Sequence, residues 1–284
     1  MRSPNRRDGY SLIELIVALG ILAVLIALTT SAVQRVRNSV RAVERASWHE
    51  QRQLGTTERR TLPLQVLFIG NSYTTTNDLP GTLAALVQAS GQQPTLVVDQ
   101  HCVGGATLQQ HWEAGDALKK IQSSDWDFVV LQEQSQTALP AFGQQEKFFP
   151  YSQEFVREIK ARQGIPLFYM TWKRPDTPFP AEDWIDSYVQ ITKRTKSEVA
   201  PAGIAFERVK LAIPGWNPYA DTGGHPTSAS TYLTACVFYC QLLDRDPVGL
   251  PPLGIPAAEA TALQNCAREA VKDGQRRTRS VLLR

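Results

Sequence analysis

The sequence predicts a three-layer α/β/α fold built on a parallel sheet and preceded by a long hydrophobic helix. Three observations carry this. From residue 64 onward, short continuous apolar runs alternate with longer segments of helical period. No short internal repeat or low-complexity tract interrupts them. Near the start, 19 residues from Leu15 to Val33 carry no charge. Strands buried on both faces read as unbroken apolar runs, and their alternation with helical segments implies βαβ units. At 284 residues, 43% hydrophobic and 20% charged, the chain can bury one substantial core with length left for appendages.

The elements follow in order. The 19 uncharged residues lie close to the roughly 20 that an α-helix needs to cross a bilayer. The run continues into "QRVRNSVRAVER", which still reads as helix, so a long helix is expected over residues 10–45 and cleavage after the apolar stretch is not. Arginines flank the run on both sides, so loop charge gives no orientation. Residues 46–63 are polar, contain Gly55 and Pro63, and are expected as a linker. The main domain, 64–250, should then alternate strand and helix. The segments are "LQVLFIG", "LPGTLAALVQAS", "PTLVVDQ", "TLQQHWEAGDALKKIQ", "DFVVLQ", "KFFPYSQEFVREIKARQ", "PLFYMTW", "EDWIDSYVQITKRTKSEVA", "GIAFERV" as a further strand, and "SASTYLTACVFYCQLLD". Asn77 and Asp78 are expected to cap the first of these helices, with Pro80 in its first turn. Residues 251–284 should supply a helix docked on the domain and a basic end in which Arg276, Arg277 and Arg279 are solvated.

Composition narrows the function. The net charge is +3, and Arg2, Arg6, Arg7 and Asp8 supply +2 of it, so the rest of the chain is nearly neutral and a nucleic-acid partner has no electrostatic footing. Cys102, Cys236, Cys240 and Cys266 show no CxxC spacing and no disulfide-scaffold density. Cys236 and Cys240 are expected as buried thiols, and a single bridge through Cys102 or Cys266 stays open. Glu133 with Asp99 and Asp221 matches no metal motif, so no metal and no cofactor is expected.

In a parallel sheet the loops at the carboxyl ends of the strands converge on one edge, where ligands bind. Here they are "GNSYTTTND", "HCVGGAT", "QEQSQTALP" and "KRPDTPFP", joined by the late "DTGGHPTS". "GNSYT" lacks the GxxxxGK[ST] of a phosphate loop and the GxGxxG of a dinucleotide site. Thr74 stands where the GxSxG nucleophile elbow has its second glycine. What remains is a serine after the first strand with a late histidine, Ser72 and His225. Histidine suits that pairing because its ordinary pKa near 6.5 lets it take and return a proton near neutral pH.

On "GNSYT…NDLP", "CVGGAT" and "GGHPT", the stretch from about Leu64 to Leu243 resembles the SGNH, or GDSL-like, esterase and lipase superfamily. The resemblance implies a flavodoxin-like sheet domain, Ser72 as nucleophile and His225 as general base. It implies oxyanion donors in the Ser72 N–H and in Gly104, with Gly105 close behind; well-aimed donors of this kind are each worth roughly 3 kcal/mol of barrier. Two departures stand out. The family's GxND asparagine is replaced within "LQEQSQ", so Gln134, favoured by strand counting, or Gln132 must donate the amide. The family's aspartate lies three residues before the histidine, whereas here Asp221 lies four before it. Gly223 and Gly224 could absorb the extra residue, or the site is a Ser–His dyad. Asn71, Trp172 and Glu133 are expected at the substrate site, Asn71 also as a turn residue and Trp172 as a wall. His101 could line the site, and His111 is expected to be solvated.

The first forty residues resemble type IV prepilins and type II secretion pseudopilins. That resemblance rests on a basic leader, residues 1–9, then Tyr10 and "SLIELIVALGILAVLIAL". It implies cleavage after Gly9, methylation of Tyr10, and pairing of Glu14 with a neighbouring subunit's terminus; an isolated carboxylate at a lipid-facing helix needs such a partner. The partners implied are a prepilin peptidase, pilin-like subunits and the membrane. The location implied is the bacterial inner membrane with the globular domain outside the cytoplasm. Together the two resemblances imply a membrane-tethered serine esterase acting on O-acyl, notably acetyl, esters of carbohydrates or other small esters. The alternative is a pilin-like structural or assembly protein with an inactive hydrolase-fold head.

Overall fold

The computed structural model describes residues 12–54 and 62–279, and the chain divides into two compact units, Met1–Arg60 and Thr61–Arg284. Gly9 and Tyr10 lie outside the described residues, as does the side chain of Glu14.

In the first unit, helix α1 runs Leu12–Leu54, beyond the expected end at residue 45 and into the segment expected as linker. Residues 46–54, "ASWHEQRQL", contain neither glycine nor proline and are rich in straight-chain residues, so nothing stops the helix before Gly55. Its apolar side chains, among them Leu15, Leu19, Leu22, Ile26, Val36 and Val40, are exposed. The expected transmembrane helix is not borne out, because among the described residues no helix is long and apolar enough to cross a membrane.

The second unit is built on five parallel strands, β1 Leu64–Gly70, β2 Leu96–Cys102, β3 Phe128–Leu131, β4 Ile165–Tyr169 and β5 Glu198–Ala200, in the order β2-β1-β3-β4-β5. The register places Gly70 beside Cys102 and Ile69 beside Leu131, so the ends of β1, β2 and β3 share one edge. Helices α2 Ser72–Thr75 and α3 Leu79–Ala89 follow β1. Helices α4 Leu108–Ala114 and α5 Asp116–Gln122 follow β2, α6 Phe149–Ala161 follows β3, and α7 Ala181–Thr195 follows β4. Helices α8 Ala202–Ala212, α9 Ser228–Leu243 and α10 Ala257–Arg279 complete the unit. All of β1 and β3 is buried, as the unbroken apolar runs required. Helix α9 is buried from Ser230 to Leu243 because it packs against α3, α8 and α10, so its sequence carries no charge and its few polar residues, Ser230, Thr231, Thr234 and Gln241, are buried with the rest.

Several expectations need correction. "GIAFERV" is not a strand: it forms most of α8, and the fifth strand is the three-residue Glu198–Ala200 just before it. A short apolar run does not separate a strand from a buried helix by periodicity alone. Pro201 ends the strand and precedes the first turn of α8, and Ala202 to Phe206 are all buried. The expected helix after β2 is broken at Gly115, whose φ of +78° ends α4. The tail is helical through Arg279, and Arg277 is not merely solvated: it pairs with Glu182 on α7 and with Asp273. The remainder of α10 docks as expected, burying Leu263, Ala267, Ala270 and Val271.

Helix α8 approaches the end of β4 so closely that a Cβ on Gly203 would lie 2.3 Å from the Thr171 carbonyl oxygen. Neither partner is a flexible side-chain tip, so the backbone itself must move. Gly203→Ala is expected to destabilise the domain by about 1–3 kcal/mol, read as a lower urea midpoint at unchanged m.

Candidate active site

The polypeptide turns sharply after β1. Gly70 has no room for a side chain, since a Cβ there would lie 2.6 Å from Gln132 Oε1 and 2.8 Å from Thr74 Oγ1. Asn71 caps α2 by accepting the Tyr73 N–H through Oδ1 at 3.1 Å, and donates through Nδ2 to the Ala106 carbonyl at 3.0 Å. It is 3% exposed and binds protein rather than solvent, so its expected place at the substrate is corrected to an ordering role in the turn. Ser72, the first residue of α2, is half-buried at the strand edge.

Ser72 Oγ lies 2.8 Å from His225 Nε2, and His225 Nδ1 lies 2.7 Å from Asp221 Oδ2. The second carboxylate oxygen, Oδ1, accepts the backbone N–H of His225 at 3.1 Å. The extra residue between acid and base is therefore absorbed. Gly224 adopts φ +82°, and a Cβ on Gly223 would stand 3.2 Å from Asp221 Oδ1. The His225 backbone N–H, with the imidazole adding to it, holds the Asp221 carboxyl below the usual carboxylate range. The Asp221 side chain is 50% exposed and that of His225 32%, so the chain of hydrogen bonds opens to solvent at the acid end.

The loop after β2 turns through Gly105 at φ +68°, closed by Ala106 N–H to the Val103 carbonyl. Gly104 and Gly105 are exposed, and a Cβ on either would have nothing within 4 Å. Among the described residues the backbone N–H groups of Ser72, Gly104 and Gly105 have no backbone acceptor.

The glutamines divide. Gln132 is fully buried and spends both amide hydrogens, on Asn71 Oδ1 at 2.8 Å and on the Glu133 carbonyl at 2.6 Å. It also accepts from Asn71 N–H and Thr74 Oγ1. The expectation that it could donate to an oxyanion is corrected: no hydrogen remains. Gln134 anchors its carbonyl on the N–H groups of Gln136 and Thr137 and gives one hydrogen to Ser135 Oγ, which leaves one amide hydrogen. Glu133 is wholly buried and so is not at a substrate surface. Its Oε1 accepts Gln134 N–H at 2.7 Å and Leu108 N–H at 3.2 Å, while Oε2 has no partner among the described residues. Burial pushes its carboxyl up to about 8.

Trp172 is 1% exposed, so its expected place as a wall of the substrate site is corrected to one in the core. It stacks on Tyr73 at 5.0 Å and on Phe206 at 3.9 Å and donates through Nε1 to the Gly224 carbonyl at 2.9 Å. Asp78 caps α3 as expected, accepting from the Gly81 N–H. Asn77 instead donates to the Pro226 carbonyl at 2.9 Å and to Thr231 Oγ1 at 3.1 Å, pinning the segment beyond His225. His111 is buried, not solvated: its Nε2–H donates to the Gly70 carbonyl at 2.8 Å, and burial lowers its pKa. His101 is half-buried with its ring 5.3 Å from that of His111. All four cysteines are free, and burial pushes the Cys102 and Cys236 thiols up to about 12. Among the described residues no group of three or more His, Cys, Asp or Glu could hold a metal.

With this geometry in place, the sheet domain can be set beside known proteins. It is similar to a DUF4886 family protein from Bacteroides uniformis, at 20% identity and TM-score 0.62, covering 74% of this chain and 95% of that one. It is similar to a putative SGNH hydrolase from Slackia heliotrinireducens, at 24% identity and TM-score 0.52, covering 62% and 97%. A third is a catalytic mutant of the acetylxylan esterase Axe2 from Geobacillus stearothermophilus, at 15% identity and TM-score 0.54, covering 65% and 96%. The fold is that of the SGNH hydrolases. Residues 4–30 match the prokaryotic N-terminal methylation motif. No curated protein matches the chain.

The buried acid of this SGNH fold makes a prediction. Glu133 keeps its proton in the folded protein up to about pH 8 but would lose it near its ordinary pKa of about 4.5 when unfolded. Its contribution is fully present below about pH 4.5, falls as the pH rises, and is gone above about pH 8. Glu133→Gln retains an acceptor for both backbone N–H groups and does not titrate. Denaturant titrations at about pH 5 and about pH 8.5 should therefore show wild type losing stability relative to Glu133→Gln as the pH rises.

Proposed function

We propose that the protein is an exported, membrane-anchored serine esterase that removes small O-acyl groups, acetyl foremost, from carbohydrate or other small alcohols. The observation that carries this reading is the continuous hydrogen-bonded chain from Asp221 through His225 to Ser72. As Ser72 Oγ bonds to the ester carbonyl carbon, its proton passes to His225 Nε2 and the carbonyl electron pair moves onto oxygen. The backbone N–H of Ser72 and those of the Gly104–Gly105 loop receive that charge, with the remaining Gln134 amide hydrogen as a further donor. Collapse expels the alcohol, which takes the proton from His225 and leaves an acyl-serine. Water repeats the sequence and frees the acid. No cofactor enters.

The acetyl preference is supported by the acetylxylan esterase that shares the fold, and the anchoring by the methylation motif at residues 4–30. In that arrangement prepilin peptidase cuts after Gly9, Tyr10 becomes the methylated terminus, Glu14 pairs with a pilin-like neighbour, and the catalytic unit faces away from the cytoplasm. The reading of an inactive, purely structural head draws support from the missing asparagine donor. Against it stands Asp221, which reaches His225 despite its displaced position.

Full-length protein in detergent is expected to hydrolyse p-nitrophenyl acetate faster than longer acyl esters. Ser72→Ala should abolish turnover, and Asp221→Asn should lower kcat by roughly 10³-fold or more. Equal rates in wild type and Ser72→Ala would exclude the esterase. Mass spectrometry of the mature amino terminus tests the anchor: a methylated Tyr10 is expected, and an intact Met1 would overturn prepilin processing.

A further inference from the structure

The loop that carries the base contains two adjacent glycines, one of them at φ +82°, and is one residue longer between acid and base than the resembled family requires. Glycines lower the cost of reaching such a conformation but do nothing to hold it. Something else must fix the loop, and two side chains meet it. Tyr73 Oη donates to the Gly223 carbonyl at 2.7 Å, and Trp172 Nε1 donates to the Gly224 carbonyl at 2.9 Å. A Cβ on Gly224 would lie 2.6 Å from Tyr73 Oη, so the loop and the phenol are in direct contact.

These two donors are themselves held. Tyr73 and Trp172 stack within 9° of parallel, Trp172 and Phe206 within 6°, and the His225 ring meets the Tyr73 ring edge-to-face at 5.4 Å. A rigid aromatic column therefore rises from α8 to the imidazole. Tyr73 also follows Ser72 directly, so one residue ties the nucleophile's turn to the base's loop. Burial pushes the Tyr73 phenol well above its ordinary pKa, which keeps its proton available to Gly223.

We propose that Tyr73 and Trp172 are positioning residues: through the carbonyls of Gly223 and Gly224 they hold the His225 imidazole in line between Asp221 and Ser72. This rests on the serine esterase reading, and neither side chain touches substrate. Removing the Trp172 donor leaves a buried carbonyl unpaired, removing the Tyr73 donor a half-buried one, and either lets the loop relax.

The test uses full-length protein in detergent with ¹⁵N-labelled histidine. It reads the low-field Nδ1–H resonance of His225 on Asp221 and the rate at which a fluorophosphonate labels Ser72. Tyr73→Phe, which keeps the ring and loses the donor, and Trp172→Phe, which keeps an aromatic ring in the column but loses the donor and part of the indole, should each shift or broaden that resonance and slow labelling about tenfold. In ester hydrolysis the loss should fall on kcat with KM unchanged. Phe68→Leu, a buried core position on β1, supplies a destabilised control that should leave both readouts within about twofold of wild type. Wild-type resonance and labelling in both donor variants would overturn the proposal, as would equal changes in Phe68→Leu. Wild-type protein that is not labelled at Ser72 would instead refute the esterase reading, and the resonance would still report whether the two donors hold the ring.

Discussion

The side-chain amide of Gln132 is the joint on which the site depends. Its oxygen accepts from the Asn71 N–H and the Thr74 hydroxyl, and its nitrogen donates to the Asn71 side chain and the Glu133 carbonyl. All four contacts are buried, where a lost partner costs most. Together they bind the turn after β1 to the end of β3. The geometry demands a glycine at position 70, because the glutamine occupies the space a side chain would take. It also aims the Asn71 side chain so that its Nδ2 reaches the Ala106 carbonyl, which ties the residue before Ser72 to the residue after the Gly104–Gly105 turn.

The acid–base pair depends on a second set of constraints that arrives from elsewhere in the chain. Asn77 pins Pro226 from the α3 side, a short bridge joins Tyr219 to Pro226, and the Ala220 N–H bonds the His225 carbonyl. The loop is thereby fastened at both ends before the aromatic column reaches its middle. Such multiple fixing lets two glycines sit next to a group whose ring must point in one direction, since their freedom is removed by neighbours rather than by their own conformational preference.

What could be read from the sequence, and what could not, follows the range of the interactions. Strands β1, β3 and β4 appear where the pattern places them, because burial on both faces leaves a continuous apolar run, and the edge strand β2 appears there too although it is only half-buried. Strand β5 escaped because three residues at a sheet edge carry almost no pattern, while the apolar face of α8 imitated one. Ser72 and His225 were legible from residue type and order, Asp221 only through the family resemblance with a Ser–His dyad left open, and the structure brings the three side chains together. The glutamine roles were not legible: an amide after β3 satisfies a chemical expectation equally well whether it faces the oxyanion or the backbone. His111, Trp172 and Asn77 share that difficulty, since each takes its function from a partner at least 41 residues away.

The exposure of Asp221 shifts the weight of the design from field to geometry. A carboxylate half open to solvent acts on an imidazolium through a screened interaction, so its charge alone stabilises the developing cation less than a buried acid would. Its two oxygens compensate by orientation. One grips the backbone of His225 and the other its ring, so the residue is held by both ends relative to a single plane. A grip of that kind survives the extra residue in the loop, because the backbone contact measures the loop's length and the ring contact its direction. Where the acid is exposed, the cost of misaligning the base cannot be recovered by electrostatics. The supporting hydrogen bonds to the loop carbonyls then matter more here than they would behind a buried aspartate.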